Sequence, residues 1–206
     1  MKEDEYAEAI FDITKFMMDK RMTRSFEHLA GLSKLDFRNA MWFGSMGTLM
    51  RFADDDVRRT FEAAAAAGKV LNEYFAYIAE YDRKMEQEFG IPVAYGGVAY
   101  APYDMIGDTL RGTCGILCDM HDHPEELLQL IDKVADYAIK DCIEGAKASG
   151  RPWVWYWLHK GIDSFMSDEM FQKFYWPSLR RYITDFPNDE LLGQPGVIAI
   201  PHLGAS

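Results

Sequence analysis

Apolar positions in the first half of the chain recur at helical spacing. They do so across residues 5–20 and again, as one long amphipathic segment, across residues 54–88. Three aspartates at 54–56 favour a helix N-terminus, because carboxylates complement the positive end of the helix dipole. Gly90 and Pro92 are expected to end this helix. The pattern predicts a helical amino-terminal region.

The pattern changes in the second half of the chain. Residues 92–101 and 152–158 predict strands, and the second is nearly all aromatic or aliphatic, as expected for a strand covered on both faces. Residues 102–122 predict short helices, and residues 124–149 predict one helix with Pro124 in its first turn. Alternation of strands and helices favours parallel βαβ units.

The last part of the sequence mixes turn and strand signals. Residues 159–163 predict a loop, and Ser167 is expected to cap a helix that Pro177 kinks or ends. A short strand is predicted at 197–200, within the turn-rich segment 183–206. A βα unit would continue into a helix at this point, so we expect the sequence to be part of a larger enzyme.

Composition narrows the class of protein. About half of the 206 residues are apolar and 14% are aromatic, which is enough to build a core. A net charge of −11 disfavours binding to nucleic acid or to an anionic membrane. The acidic start does not look like a signal peptide, no apolar run is long enough to span a bilayer, and there are three cysteines. We expect a soluble, cytoplasmic protein.

One cluster has zinc-ligand residue types but not the usual spacing. Cys114, Cys118 and His121 would share one helix stripe. Structural zinc sites use tighter Cys-x-x-Cys turns, and free cysteine often packs as a small apolar residue. We therefore favour a packing and capping role and predict no metal site.

Two other clusters can carry chemistry. Asp104, Asp108 and Arg111 either form a salt-bridged helix face or a polar group at the carboxyl end of a strand. His159, with Lys160 and Asp163, directly follows the strand at 152–158. Such a group can transfer protons or hold an anionic ligand, and the alternative is a solvated loop. A lone histidine, His202, is by itself a weak signal.

Several ordered blocks carry a resemblance to a known family. They are Gly97–Tyr103, Gly107–Thr113, Leu158–Ser167 and the aromatic segment 171–179. With these blocks, residues 1–181 resemble the uroporphyrinogen decarboxylase-like family in its broad sense, which includes corrinoid-linked methyltransferases. The resemblance implies part of a (β/α)8 TIM-type barrel, helix-rich α/β, with its cleft at the carboxyl ends of the strands. Other parts of that barrel would precede Met1 and follow Ser206.

The same resemblance implies roles for individual residues. His159 matches a histidine of the family's strand-end motif. Asp108 stands where decarboxylases have a tyrosine, and Leu158 stands where they have a serine, so the methyltransferase-like or uncharacterised branch fits better. The zinc motif of the methyltransferases has no match in Cys114 or Cys118. We expect catalytic roles for His159, Asp108 and Arg111, and substrate contacts from Tyr103, Asp104, Lys160 and Asp163.

Residues 182–206 resemble a different family. This tail is similar to the catalytic-histidine segment of D-3-phosphoglycerate dehydrogenase, in which His202 would match the histidine. The arginine, the glutamate and the dinucleotide-binding glycines of that family have no counterpart in the chain. We therefore expect a barrel fragment over residues 1–181 joined to a dehydrogenase-like tail of different origin.

Three functional hypotheses follow. The first is methyl transfer or decarboxylation of a small-molecule, tetrapyrrole or corrinoid-linked substrate by the full-length parent, with this fragment inactive or impaired and its cofactor unknown. The second is a non-catalytic binding or assembly protein that uses the Met- and aromatic-rich segment 41–50, with homo-oligomers possible. The third is a fragment of an NAD-dependent dehydrogenase, which rests on the tail alone.

Overall fold

The computed structural model describes residues 1–35, 44–93, 96–150, 154–185 and 199–203. Within these ranges the chain is a helix-rich α/β structure with parallel strands. It divides into two compact units: one contains Met1 and Phe11–Pro92, and the other contains Lys2–Ile10 and Val93–Ser206. The boundary predicted near residue 181 stays a prediction.

The first unit is helical in its described part. Its helices are α2 (Ile13–Phe16), a π-helical segment (Met17–Met22), α3 (Thr23–Ser25), a 3-10 segment (Glu27–Lys34), α4 (Gly44–Arg51) and α5 (Asp55–Phe89). A 3-10 turn (Glu3–Glu5) and α1 (Tyr6–Phe11) precede them. The long helix predicted over 54–88 is confirmed, and it ends at Gly90 in the left-handed conformation, with φ of 67°.

The start of α5 is fixed by one close approach. The Thr60 hydroxyl donates to the His28 carbonyl at 2.9 Å and accepts from the Gly31 N–H at 3.1 Å. A Cβ at Gly31 would lie only 2.6 Å from Thr60 Oγ1, so this contact requires glycine. Val57 and Thr60 are buried there, whereas most of the rest of α5 is exposed.

The second unit is built on a parallel sheet in the order β1–β2–β3. Tyr100 of β1 lies opposite Trp157 of β2, and Leu158 of β2 lies opposite Leu203 of β3. The elements are β1 (Gly97–Tyr100), α6 (Pro102–Ile106), a π-helical segment (Gly107–Arg111), α7 (Gly112–Asp122), α8 (Pro124–Ser149), β2 (Val154–Leu158), α9 (Asp168–Met170), a π-helical segment (Phe171–Tyr175), α10 (Trp176–Asp185) and β3 (Ala199–Leu203).

One face of this sheet contributes to the core. Ala99, Val154 and Tyr156 are buried, in a unit where α8 packs against β1 and α10 against α8. Val98, Tyr100 and Trp157 alternate with these residues and are exposed. In β2, Trp157 is partly exposed and Trp155 and Leu158 are half-buried, so cover on both faces of this strand stays a prediction.

Most local predictions for this unit are confirmed. The short helices at 102–122, the helix at 124–149 and the cap at Ser167, which accepts a hydrogen bond from the Met170 N–H, all form. Pro177 does not end its helix: the helical run continues from Asp168 through the π-helical segment Phe171–Tyr175 to Asp185, so Pro177 lies inside it and the predicted kink stays a prediction. The predicted strand at 197–200 begins at Ala199 in the described residues and runs to Leu203.

None of the helices in the described ranges combines the length and the apolar character needed to cross a bilayer.

Candidate functional site

Four polar side chains meet at the carboxyl end of the sheet. β1 and β2 are parallel neighbours, so the segments that follow them leave the sheet at the same edge. The segment after β1 carries Asp104 and Asp108, and the segment after β2 carries His159 and Lys160. The parallel pairing thus places side chains more than 50 positions apart within hydrogen-bond distance.

Asp104 is the buried anchor of this cluster. Its carboxylate accepts the Lys160 backbone N–H at 3.0 Å, the His159 backbone N–H at 3.3 Å and the Tyr175 hydroxyl at 2.6 Å. Burial raises the pKa of Asp104, and the hydrogen bonds it accepts act in the opposite direction. The carboxylate fixes the loop after β2, and this loop carries the more exposed members of the cluster.

Asp108 and His159 form the solvent-facing edge of the cluster. His159 Nε2 lies 3.1 Å from Asp108 Oδ2, and the two side chains are 37% and 40% exposed. The Lys160 ammonium is paired with Asp108 Oδ1, and its side chain is only 4% exposed. It also lies 3.3 Å from His159 Nδ1. An ammonium can only donate a hydrogen bond, so Nδ1 is the acceptor in this contact. This favours the tautomer with its proton on Nε2, which donates a hydrogen bond to Asp108.

Two glycines make room for the cluster. A Cβ at Gly107 would lie 3.0 Å from Lys160 Cε and 3.1 Å from its Cδ, so glycine lets the lysine stem lie against the helix. A Cβ at Gly161 would lie 2.6 Å from the Tyr175 ring. Tyr175 reaches Asp104 only because position 161 has no side chain.

Arg111 lies in a second polar cluster of the same unit. Its guanidinium donates to Asp119 at 2.8 Å, and Asp119 also accepts the Tyr6 hydroxyl at 2.6 Å. Glu3 lies 3.7 Å from the same guanidinium. The Arg111 side chain is largely buried, and Asp119 raises the pKa of its guanidinium.

Of the two alternatives for Asp104, Asp108 and Arg111, the salt-bridged helix face is not what the described contacts show, because Asp108 pairs with Lys160 and Arg111 with Asp119. Asp108 and Arg111 lie in the π-helical segment Gly107–Arg111, in which the turn is wider than in an α-helix. A spacing of three residues therefore does not bring them to the same side. The Asp104–Asp108 spacing, by contrast, does bring both carboxylates to the loop after β2.

The remaining predicted site residues are dispersed. Tyr103 is fully buried with its ring 5.8 Å from that of Tyr175, and its hydroxyl has no hydrogen-bond partner among the described residues. Burial raises its pKa. Asp163 is exposed in the turn after the cluster. His202 lies in β3 opposite Trp157, but its side chain is outside the described part of the structure.

The core-packing role favoured for the cysteine cluster is wrong for Cys114 and Cys118. Cys114 and Cys118 are exposed on α7. Among the described residues, no three side chains of His, Cys, Asp or Glu are arranged to hold a metal ion. Cys142 is buried, and burial raises the pKa of its thiol to about 12.

Sequence reasoning missed Tyr175, Gly107, Gly161, Tyr6 and Asp119. Tyr175 lies in the aromatic segment 171–179 that carries part of the family resemblance. The sequence therefore marked the segment, but it did not indicate that Tyr175 bonds to Asp104. The chain's sequence was compared with models of protein families, with curated proteins and with solved structures. None of the three comparisons finds a match. The functional conclusion therefore rests on the geometry of the cluster and on the resemblance.

Proposed function

We propose that Asp104, Asp108, His159 and Lys160 form the proton-transfer site of an enzyme of the uroporphyrinogen decarboxylase-like type. The observation that carries this proposal is the His159–Asp108 pair, with 3.1 Å between Nε2 and Oδ2. Both side chains are partly exposed. The buried Lys160 pairs with Asp108, and the buried Asp104 accepts the backbone N–H of His159. A parallel α/β barrel, with this cluster at the carboxyl ends of its strands, is the architecture that goes with the proposal.

Each residue has a distinct part in the proposed chemistry. Asp108 exchanges a proton with the substrate through its exposed carboxylate, and His159, whose Nε2 lies 3.1 Å from Asp108 Oδ2, gives that proton to Asp108 or takes it up. Lys160 offsets the negative charge of Asp108, to which it is paired. Asp104 does not meet the substrate, because it is buried; it holds the backbone of His159 and Lys160 in place.

The pair suits either reaction implied by the resemblance. Decarboxylation needs a proton delivered to the carbon that loses carbon dioxide, and methyl transfer needs a proton removed from the accepting group. Asp108 and Leu158 replace groups that decarboxylases carry, which supports the methyltransferase-like branch. The proposed substrate is a small molecule, tetrapyrrole or corrinoid-linked.

Ligand titration tests this proposal. Hydroxocobalamin and coproporphyrin would each be added to the purified chain while tryptophan fluorescence is followed. We expect saturable quenching by at least one of them and at least a tenfold weaker Kd for Asp108→Asn and His159→Gln. Glu144→Gln is the matched control, because Glu144 is exposed near the carboxyl end of α8, in the stretch that approaches the start of β1. No saturable quenching of the folded chain by either ligand overturns the proposal.

One observation favours the second hypothesis, a binding or assembly protein. Met46, Leu49 and Met50 are exposed on α4, within the segment 41–50; residues 41–43 lie outside the described ranges. Exposed methionines adapt to varied partner surfaces. This function predicts ligand-independent association that Leu49→Glu with Met50→Glu removes, as measured by light scattering.

A further inference from the structure

The long helix α5 carries large apolar side chains that stay exposed among the described residues, although Phe61 stacks on Phe52. Beyond Thr60, eight large apolar side chains along it are between 43% and 68% exposed, and Ile78 and Met85 are half-buried. Isolated exposed apolar residues are ordinary, but a continuous row of them marks an interaction surface. The exposed members are Phe61, Val70, Leu71, Tyr74, Phe75, Tyr77, Tyr81 and Phe89.

Four of these exposed residues, Phe61, Leu71, Phe75 and Phe89, lie on a heptad repeat of the helix. From Phe61 to Phe89 the positions alternate in steps of three and four residues, which is the spacing of a helix that packs lengthwise against another helix. We call these positions the α5 seam. Its members are Phe61, Ala64, Gly68, Leu71, Phe75, Ile78, Asp82, Met85 and Phe89.

We propose that the α5 seam pairs with the α5 seam of a second copy of this chain, in antiparallel orientation. The seam extends over four heptads of a helix about 50 Å long, since each residue of an α-helix adds about 1.5 Å. A helical partner of equal length and period can follow it throughout. A second α5 supplies such a partner by two-fold symmetry, without any other molecule.

Side-chain sizes select the antiparallel orientation. With Phe75 opposite Ile78 of the second copy, Gly68 lies opposite Met85 and Ala64 lies opposite Phe89, so each small residue faces a large one. Asp82 then lies opposite Leu71, so the two Asp82 carboxylates of the pair do not face each other. In a parallel pair every residue faces its own copy, which puts Gly68 on Gly68 and leaves a gap. It also puts Asp82 on Asp82, where two carboxylates repel each other.

Charge favours the same orientation. Residues 55–72 contain three acidic and three basic side chains, whereas residues 73–89 contain five acidic and two basic ones. A parallel pair would align the two acidic halves, each with a net charge of −3. An antiparallel pair sets each acidic half against a neutral half, which lowers the repulsion.

The exposed area is close to the minimum for a specific dimer. The seam members Phe61, Phe75 and Phe89, with Tyr74 and Tyr81 beside the seam, carry ~150–250 Å² each, and about half of each is exposed, so they offer roughly 400–600 Å² per protomer. The upper end of this range corresponds to the lower limit of about 1,200 Å² in total for stable protein–protein interfaces. A dimer with a Kd in the micromolar range is expected.

Sedimentation equilibrium of the full chain tests the pairing, over loading concentrations from roughly 1 to 200 µM. We expect a monomer–dimer equilibrium for the wild type and at least a tenfold weaker Kd for Leu71→Glu with Phe75→Glu. Ala76→Glu is the matched control: it adds the same carboxylate to the opposite face of the same helical turn and should leave the Kd unchanged. A wild type that is monomeric throughout, or a dimer that tolerates the double variant, overturns the proposal.

Cross-linking tests the orientation. In a background with Cys114 and Cys118 replaced by serine, a mixture of Phe75→Cys and Ile78→Cys chains should form a disulfide-linked dimer on mild oxidation. Phe75→Cys alone should not. Efficient cross-linking of Phe75→Cys alone would show a parallel pair and overturn the antiparallel arrangement. Far-UV circular dichroism identical to that of the wild type confirms that each variant is folded.

Discussion

The Tyr175 hydroxyl donates a hydrogen bond to the Asp104 carboxylate at 2.6 Å, across 71 positions of sequence. Tyr175 is buried, and burial raises its pKa, so the hydroxyl keeps its proton and acts as a donor. Asp104 in turn holds the backbone N–H groups of His159 and Lys160. The position of the proposed proton-transfer pair thus depends on the buried hydrogen bond between Tyr175 and Asp104.

Tyr175→Phe removes that bond and leaves the buried carboxylate short of a donor. We expect the free energy of unfolding to fall by about 1–3 kcal/mol, the usual cost of leaving a buried polar group unsatisfied. Urea unfolding followed by tryptophan fluorescence measures the change. Tyr137→Phe on the exposed side of α8 is the control and should change stability by less than about 0.5 kcal/mol. Equal stability of Tyr175→Phe and the wild type contradicts the described contact.

Gly161→Ala introduces a methyl group where the Tyr175 ring already lies. Because the added Cβ would be 2.6 Å from the ring, either the loop or the ring must move, and we expect a loss of about 1–3 kcal/mol. The control is Gly145→Ala in α8, where the nearest atom is 4.0 Å away. There alanine should be neutral or stabilise by up to about 1 kcal/mol, because it favours the helix. Both values come from thermal or urea unfolding.

Asp119→Ala breaks a buried ion pair. It leaves the largely buried Arg111 guanidinium without its main partner, and we expect a loss of about 3 kcal/mol. Asp132→Ala breaks an exposed pair with Arg181, which has a second partner in Asp136, and should cost less than about 1 kcal/mol. If urea unfolding gives the same cost for both variants, the Asp119 cluster is more exposed to solvent than described.

Asp104→Asn changes how stability depends on pH. Burial raises the pKa of Asp104, so the folded chain holds this proton more tightly than the unfolded chain does. The stabilisation that this bound proton gives the folded chain is complete below the unfolded pKa of about 3.9. It is lost as pH rises through the pKa of Asp104 in the folded chain.

The asparagine variant cannot titrate at this position. From about pH 4 upward, the free energy of unfolding of the wild type should therefore fall relative to that of the variant. Urea unfolding of both proteins between about pH 4 and pH 7 measures the difference, in which the other carboxylates cancel. If the free energy of unfolding of the wild type instead rises relative to that of the variant over this interval, the pKa of Asp104 is not raised in the folded chain.

The three cysteines should differ in reactivity. Cys114 and Cys118 are exposed, whereas Cys142 is buried and its thiol has a pKa raised to about 12. Only the thiolate attacks Ellman's reagent, so two thiols should react in the native chain and the third only after urea is added. The absorbance of the released thionitrobenzoate counts them. Rapid reaction of all three in the native chain would show that α8 is not packed as described.

Local signals were enough to predict the two long helices, α5 and α8. The aspartates before α5, Pro124 in the first turn of α8 and Gly150 at its end act within one or two turns, so they can be identified without knowledge of the fold. Gly150 is in the left-handed conformation with φ of 66°, as its position after the helix suggested. The parallel pairing of β1 with β2 could also be expected from the alternation of elements, whereas the addition of β3 could not, because residues 182–206 were assigned to a separate tail.

The site was predicted only in part, because its geometry is not local. The parallel-strand rule places His159 and Lys160 at the edge where Asp104 and Asp108 lie. No spacing rule indicates that Tyr175 reaches Asp104, since that contact depends on the absence of a side chain at Gly161. The separate cluster of Arg111 could not be predicted either, because spacing alone does not distinguish a π-helical turn from an α-helical one.

The parallel pairing of β1 with β2 also determines when the site can exist during folding. Local contacts can build the intervening helices first, but the sheet forms only after a loop of more than 50 residues has closed, and such closure is slow because of its entropic cost. In a folding intermediate that has its helices but not its sheet, the four side chains of the cluster would not yet lie close together. Loss of the His159–Asp108 pair should therefore accompany separation of the two strands, even while helix content stays high.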